Sequence, residues 1–366
     1  MNILLTNESL AVRPATEPFV RDLARHLQER GHLVFVASSD PGHRERLLER
    51  DLIAVAGDLE NLPIRPDIIH ALHPLDAMTA LTALPGVPAV YHDRGSFWQN
   101  LPPRHPRLLH HLLPSRGLLE QLRAPLEQAG ATCSHFPISV ATDRFTLVRE
   151  PPGALRRALF INHHLLPDGD TLQAFAAVAR SLDLSLDIAG IEFGCGREEA
   201  ERILPAYDLV FAAGQNAADA LACGCAVVVT GANGFGGMVT GENLELWHDQ
   251  GFHPAHGSTP PIPFAELRSV LRAYQCGNHI ALAQRLRRAA TFTAAVDRLE
   301  ALYAEIIQRH ATAPPCHSDE EMRAISCYLR GIAPKIMFAN FSHTGLMQPR
   351  ISWVPSTVGP GIFPQK

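Results

Sequence analysis

The spacing of apolar positions changes several times along the chain, and each change marks an element. Asn2 to Thr6 is a short apolar run ending in polar residues, as a buried parallel strand reads. From Glu17 to Arg30 the apolar residues Phe19, Val20, Leu23, Ala24 and Leu27 recur at helical spacing, Gly31 closes the helix, and His32 to Ser38 is a second β-rich run. These segments predict one βαβ unit. Strand-like runs follow at Leu52 to Ala56, Asp67 to Leu72 and Pro88 to His92, separated by enough chain for crossover helices. Such alternation predicts a parallel sheet covered on both faces.

The pattern breaks at Glu150, Pro151, Pro152 and Gly153, a stretch suited to a linker, and then restarts. Ala158 to Asn162, Leu184 to Ala189, Leu209 to Ala213 and Ala226 to Thr230 are apolar strands with helical segments between them. Two amphipathic helices follow near Ala281 to Arg288 and Thr293 to Arg309. The series predicts an α/β protein of two Rossmann-like, doubly wound domains facing a central cleft, over residues 1–150 and 151–311. Residues 312–366 read as a C-terminal helix and an irregular strap. Ser318 to Arg330 forms the helix, with Ser318 as N-cap and Glu321 three residues on. Beyond Lys335 the chain loses periodicity but is too apolar for free solvation. Tandem units of this kind take their ligand where the carboxyl ends of the strands meet, between the domains.

Composition narrows the chemistry. A chain of 366 residues, 46% hydrophobic, can fill two cores. With 32 basic and 37 acidic residues the formal charge is -5, which gives no broad basic field for nucleic acid, so none is expected as partner. The only lysines are Lys335 and Lys366, so there is no lysine-bearing phosphate loop, and a Schiff base could come only from the C-terminal segment. Seven cysteines without paired spacing, Cys223 and Cys225 forming C-x-C, suit free thiols in a reducing compartment. The opening Met-Asn-Ile-Leu-Leu-Thr-Asn lacks a charged and then apolar leader, and no apolar run reaches the roughly 20 residues of a bilayer span. The expectation is a cytoplasmic protein with no transmembrane segment.

The most informative stretch runs from Tyr207 to Phe252. It reads as a strand, a tight turn at Gly214, a short helix through Leu221, a glycine turn at Gly224, a buried strand, and a glycine-rich loop opening a helix. Gly234, Gly236 and Gly237 let backbone amides approach an anion without Cβ obstruction, and a following helix start adds favourable potential. Glycines at such turns also serve structure alone, and both readings stay open.

The string Asp219-Ala220-Leu221-Ala222-Cys223-Gly224-Cys225-Ala226-Val227-Val228 before these glycines, with Glu242-Asn243-Leu244 after them, resembles the retaining GT-B glycosyltransferases of family four, especially bacterial members. The pattern from Glu17 to His32, the Pro-Asp-Ile-Ile-His strand ending at His70 and the segment Ala295 to Tyr303 extend the resemblance over roughly residues 1–310. It implies a nucleotide-diphosphate sugar as donor substrate, held by the C-terminal domain, and an acceptor of undetermined identity held mainly by the N-terminal one, with no metal and no cofactor. By the same resemblance, Gly234, Phe235, Gly236, Gly237, Asn243, Gly214 and Gln215 would line the donor site, and Asp219 would hold the ribose. A carboxylate suits that role because it accepts from two adjacent hydroxyls; the alternative for Asp219 is a solvated helix residue. His92 would face the donor sugar with Asp93 orienting its ring, against the alternative of a strand-end histidine bonded to backbone. Arg13, Thr16, Glu17 and Arg94 would form the acceptor or phosphate loop.

Three departures weaken the anion sites. Pro14 and Ala15 stand where relatives carry two glycines, Phe160 to Leu165 lacks the usual basic pair, and Ala213-Gly214-Gln215 replaces a Lys-Gly-Arg string. Charge-assisted contacts are about twice as strong as neutral ones, so the losses matter. The leading reading is a metal-independent glycosyltransferase; the alternative is a catalytically degenerate GT-B protein acting as a binding or assembly partner. Basic side chains such as Arg13, Arg94 or Arg197 converging on the glycines would favour the first. A sugar-nucleotide epimerase is a third option, without a convincing acid/base pair. His105, His110 and His111, His163 with His164, and His253 with His256 match no zinc spacing and read as surface or interface histidines. Arg104, Arg107, Arg116 and Arg123 read as a solvated helical face or as a patch for an anionic acceptor, which leaves peripheral membrane contact open.

Overall fold

The computed structural model describes residues 1–9, 17–40, 54–56, 59–94, 102–147, 155–161, 177–189, 200–231, 234–254, 264–272, 278–314 and 316–343. The expected linker at 150–153, Arg13, Pro14, Ala15, Thr16, Arg197 and the strap beyond residue 343 lie outside the described residues.

Seven strands form the first sheet: β1 (Asn2–Ser9), β2 (Leu33–Asp40), β3 (Ala54–Ala56), β4 (Ile68–Ala71), β5 (Ala89–His92), β6 (Leu108–Leu113) and β7 (Thr132–His135). Their order is β3-β2-β1-β4-β5-β6-β7, and every neighbouring pair is parallel. Ile3, Leu4 and Leu5 are all fully buried, on both faces of β1, which is why that strand reads as a continuous apolar run. Helices α1 (Glu17–Glu29), α2 (Pro74–Ala83) and α3 (Arg116–Gln128) connect the strands. Ser115 caps α3 by accepting from the Leu118 amide at 3.2 Å.

Strands β6 and β7 were not foreseen, because polar residues interrupt them. His110 in β6 meets Thr132 Oγ1 at 2.7 Å and Ser134 Oγ at 2.8 Å, both from β7, so paired polar groups sit where the pattern search looks for apolar ones. The neighbouring Arg107 departs from both expectations for the arginine group, since it is 2% exposed. It donates to the carbonyl of Leu81 in the last turn of α2 and to those of Leu84 and Val87 just beyond it.

The second sheet contains β8 (Arg157–Ile161), β9 (Ser185–Ala189), β10 (Leu209–Ala212), β11 (Ala226–Gly231) and β12 (Gly234–Met238), in the order β12-β11-β10-β8-β9. All pairs are parallel except β11 with β12. The last strand corrects the expectation of a glycine-rich loop opening a helix: the glycines form an antiparallel edge strand, and a turn separates it from the next helix. Phe235 explains the difference. Its side chain is 1% exposed and its ring lies 6.0 Å from that of Phe211 on β10, so an apolar anchor between glycines draws the segment onto the sheet.

The described helices of this half include α4 (Ala200–Ile203), α5 (Gly214–Ala222), α6 (Leu244–Asp249), α7 (Phe264–Arg272) and α8 (Asn278–Ala289). Helix α9 (Phe292–Thr312) then returns to the first half, packing on α1 and β5. Arg30 binds Asp297 at 2.5 Å, and Arg309 donates to the carbonyl of Gly130 at 3.1 Å. Helix α10 (Ser318–His343) stays on the first half. Its Glu321 closes a two-point ion pair on Arg107 at 2.8 and 2.9 Å, while Ile325 and Tyr328 pack on the core around Leu81 and Tyr91. Among the described residues no helix is long and apolar enough to cross a membrane.

Candidate active site

The carboxyl ends of the two sheets approach each other. In the first half β5 ends at His92 and the chain leaves through Asp93, whose amide donates to the carbonyl of Leu112 at 2.9 Å. Arg94 then lays its guanidinium 3.7 Å from the ring centre of Phe19 on α1. In the second half β10 ends and the chain turns sharply at Gly214 into α5. Gly214 has φ +57°, and a Cβ there would stand 2.7 Å from His253 Nε2, so conformation and space both require glycine. Ala213, at the cap position, bears no capping side chain; the Gly214 amide donates to the Phe252 carbonyl at 3.0 Å, and the rest of the helix start keeps part of its positive potential.

Gln215 joins the halves. Its Oε1 accepts from Arg94 Nη2 at 3.0 Å, and its Nε2 donates to Asp219 Oδ1 and to the carbonyl of Ser139, each at 2.8 Å. Asp219 is 1% exposed and is therefore not a solvated helix residue. Beside it lies Asp22 of α1, which takes Arg144 Nη1 at 2.7 and 2.6 Å, while Arg144 Nη2 reaches Glu201 at 3.1 Å. A shallow crevice with no room for a water-sized group is walled by Phe19, Phe145 and Phe292, with Asp22, Gln215 and Asp219 supplying its polar atoms.

His92 is 1% exposed and bonded to a side chain instead of backbone: its Nδ1 lies 3.2 Å from His70 Nε2. Burial, then Arg94, then His70 push its pKa well below the ordinary histidine value. The same first two causes hold His70 at about 3. Both rings are therefore neutral near pH 7.

His92, Arg94, Gly214, Gln215 and Asp219 thus lie around one region. Glu17 opens α1 at the edge of the described residues. The glycine strand is divided: Gly236 is covered, since a Cβ there would overlap the Trp247 ring and reach Pro254 Cγ at 3.1 Å, whereas Gly237, with φ +106°, has nothing within 4 Å of that position. Gly234 begins β12, and Phe235 faces the core. Asn243 closes its own turn, accepting from the Thr240 amide at 2.7 Å and donating to the Met238 carbonyl at 3.0 Å. Phe19, Asp22, His70, Ser139, Arg144 and Tyr303 were not picked out as site residues. His70 and Tyr303 stood in the motifs that carried the resemblance and were read there as marks of fold. Among the described residues no group of three or more His, Cys, Asp or Glu is arranged to hold a metal ion.

Two Rossmann-like halves with their strand ends opposed, and a last helix returning to the first half, define the GT-B fold. Solved structures are similar to the chain. An O-GlcNAc transferase mutant from Thermobaculum terrenum is 14% identical, with 85% of this chain and 68% of that one aligned and a TM-score of 0.50. The apo form of WaaB, a lipopolysaccharide outer core galactosyltransferase, is 12% identical over 83% of this chain and 100% of its own, with a TM-score of 0.49. MurG of Acinetobacter baumannii is 14% identical over 84% and 100%, with a TM-score of 0.40. The chain has the GT-B fold, which the first of these likenesses carries. No protein-family model matches the sequence. No curated protein matches it.

Proposed function

We propose that the protein is a glycosyltransferase, family-four-like and retaining, that moves a sugar from a nucleotide-diphosphate donor to an acceptor in the interdomain cleft, without metal or cofactor. One observation carries the reading: Arg94 from the first half reaches Gln215 at the start of α5, joining a cation to the positive end of a helix. A diphosphate entering there exchanges a neutral partner of Arg94 for a charged one, which strengthens the bond. Asp219 takes the ribose hydroxyls, Gly237 gives the donor a bare backbone, and His92 bonds a sugar oxygen. The test is turnover and thermal shift of the purified chain with UDP-, GDP- and TDP-sugars. One nucleotide series is expected to raise Tm and to be hydrolysed or transferred. A panel that shifts nothing and turns over nothing ends the enzyme reading.

A second reading, a degenerate GT-B protein serving as a binding or assembly partner, draws on a different observation. Trp247 covers Gly236, and Gln215 with Phe19 already engages Arg94, so protein groups take part of the space and charge that a donor would use. The same panel separates the two.

A further inference from the structure

Behind the cleft three buried side chains form a line whose direction can be worked out. The Tyr303 hydroxyl, on α9, meets Nδ1 of His70 on β4, and His70 Nε2 lies 3.2 Å from Nδ1 of His92 on β5. Tyr303 and His70 are fully buried and His92 is nearly so. Among the described residues the Tyr303 hydroxyl has no other hydrogen-bond partner, so its proton can go only to His70. Burial pushes the phenol pKa well above its usual value, and the proton stays on oxygen.

A neutral imidazole has one N–H and one bare nitrogen. His70 Nδ1 accepts from Tyr303, so the His70 proton is on Nε2 and is donated to Nδ1 of His92. The proton of His92 must then sit on Nε2. Either direction leaves one donor unmet. Run backwards it is the Tyr303 O–H, on a fully buried residue and facing a protonated nitrogen. Run forwards it is the His92 Nε2–H, on the one residue of the three that keeps some exposure and at the cleft end of the line, so the penalty for an unmet buried donor favours the forward direction. No hydrogen bond among the described residues engages His92 Nε2.

We infer that Tyr303 and His70 are positioning residues that lock His92 in its neutral Nε2–H tautomer, making it a fixed hydrogen-bond donor to a ligand oxygen and denying it the role of a base. The groups facing His92 agree with this assignment. Among the described residues they are the rings of Phe19 from α1 and Phe136 after β7, each nearly perpendicular to the imidazole, the guanidinium of Arg94 and the neutral ring of His70. None is an anion that would draw a second proton onto the imidazole. Tyr303 also ties the tautomer to the fold: it comes from the helix that returns from the second half, so the donor in the first half is set only when α9 is docked. The ligand that receives the bond rests on the glycosyl-transfer reading; the tautomer does not.

The full-length chain labelled with nitrogen-15 histidine tests this by long-range proton–nitrogen correlation spectra. His92, assigned by the signal lost in His92→Gln, is expected to show a bare Nδ1 and a protonated Nε2. That pattern should hold from roughly pH 6 to pH 8, across the ordinary histidine midpoint. Tyr303→Phe keeps the packed ring and removes the proton source, and the His92 signal becomes a mixture of both tautomers. In the same variant kcat/KM for whichever nucleotide sugar is turned over falls about tenfold, the change that one hydrogen bond of ordinary net strength carries. His70→Gln, whose amide can still donate at the Nε2 position, recovers part of the single tautomer, and His70→Leu does not. A wild-type His92 protonated on Nδ1, one that titrates near its ordinary midpoint, or a Tyr303→Phe spectrum identical to wild type would overturn the inference. The expected spectra from a protein that turns over no nucleotide sugar would leave the tautomer standing and remove the glycosyl-transfer reading alone.

Discussion

The two sheets bring opposite chemistry to the same cleft. Strands β4 to β7 of the first all carry histidine, namely His70, His92, His110 with His111, and His135, while no strand of the second carries one. The second half presents glycines, a buried carboxylate on α5 and the start of that helix, which no side chain caps. Under the proposed function the first half recognises a ligand with side chains whose protons are fixed by their neighbours, and the second with backbone and a single acid. The two halves should respond differently to acid, to core substitution and to added Cβ atoms.

Acid should separate them most. Burial holds both His70 and His111 down to about 3, from an ordinary 6.5. Between those values the unfolded chain binds more protons than the folded one, so stability is complete above about 6.5 and is lost as pH falls. At roughly pH 5 each of these two imidazoles withdraws about 2 kcal/mol. Hydrogen exchange during acidification is expected to deprotect β4 to β6 before β8 to β11. Earlier opening of the second sheet would break the comparison.

Arg107 gives the next largest effect. It is buried, and it ties the carbonyls around the end of α2 to Glu321 of α10. Arg107→Ala leaves those acceptors and a carboxylate unpaired, which costs about 3–5 kcal/mol. The urea midpoint should fall and protease should cleave α10 early, with the second half retaining its protection. Cleavage confined to the second half would contradict the assignment of α10 to the first core.

Added Cβ atoms test the second sheet. Gly236→Ala pushes into Trp247 and costs about 1–3 kcal/mol. Gly237→Ala meets open space and pays only for its positive φ, about 1 kcal/mol. Thermal melts of the two variants rank them, and under the proposed function Gly237→Ala weakens donor binding more than Gly236→Ala does. The reverse ranking in both assays would move the ligand-facing position from Gly237 to Gly236.

The architecture was legible wherever burial shows as uninterrupted apolar sequence. The runs at Asn2 to Thr6, Pro88 to His92, Leu209 to Ala213 and Ala226 to Thr230 each became a strand within a few residues, β1, β5, β10 and β11. It failed where polar groups are paired across strands, as in β6 and β7, because a hydrogen bond between His110 and Thr132 leaves no trace in a hydrophobicity pattern. Gly234 to Met238 was misread because glycine marks loops by propensity, while the single buried Phe235 sets the local structure. The candidate site was legible as positions and not as contacts. Gly214, Gln215 and Asp219 follow from the string they occupy, but their meeting with Arg94 spans 121 residues, and nothing local predicts it.

That meeting carries the smallest stability effect and the sharpest functional one. Gln215 is half-buried, and Gln215→Ala removes its bonds to Arg94, Asp219 and the Ser139 carbonyl, each with a modest net contribution. Arg94 keeps its place over Phe19, so the loss of its own bond to Gln215 costs only about 1 kcal/mol. If Gln215 holds the halves together in place of a donor, its removal takes a neutral partner away from a cation beside the start of α5, and UDP, GDP or TDP should bind more tightly by calorimetry. If Gln215 itself contacts the donor, the same substitution weakens binding. An unchanged affinity for every nucleotide would place the anion elsewhere and leave the junction of Arg94 with Gln215 as a contact between domains.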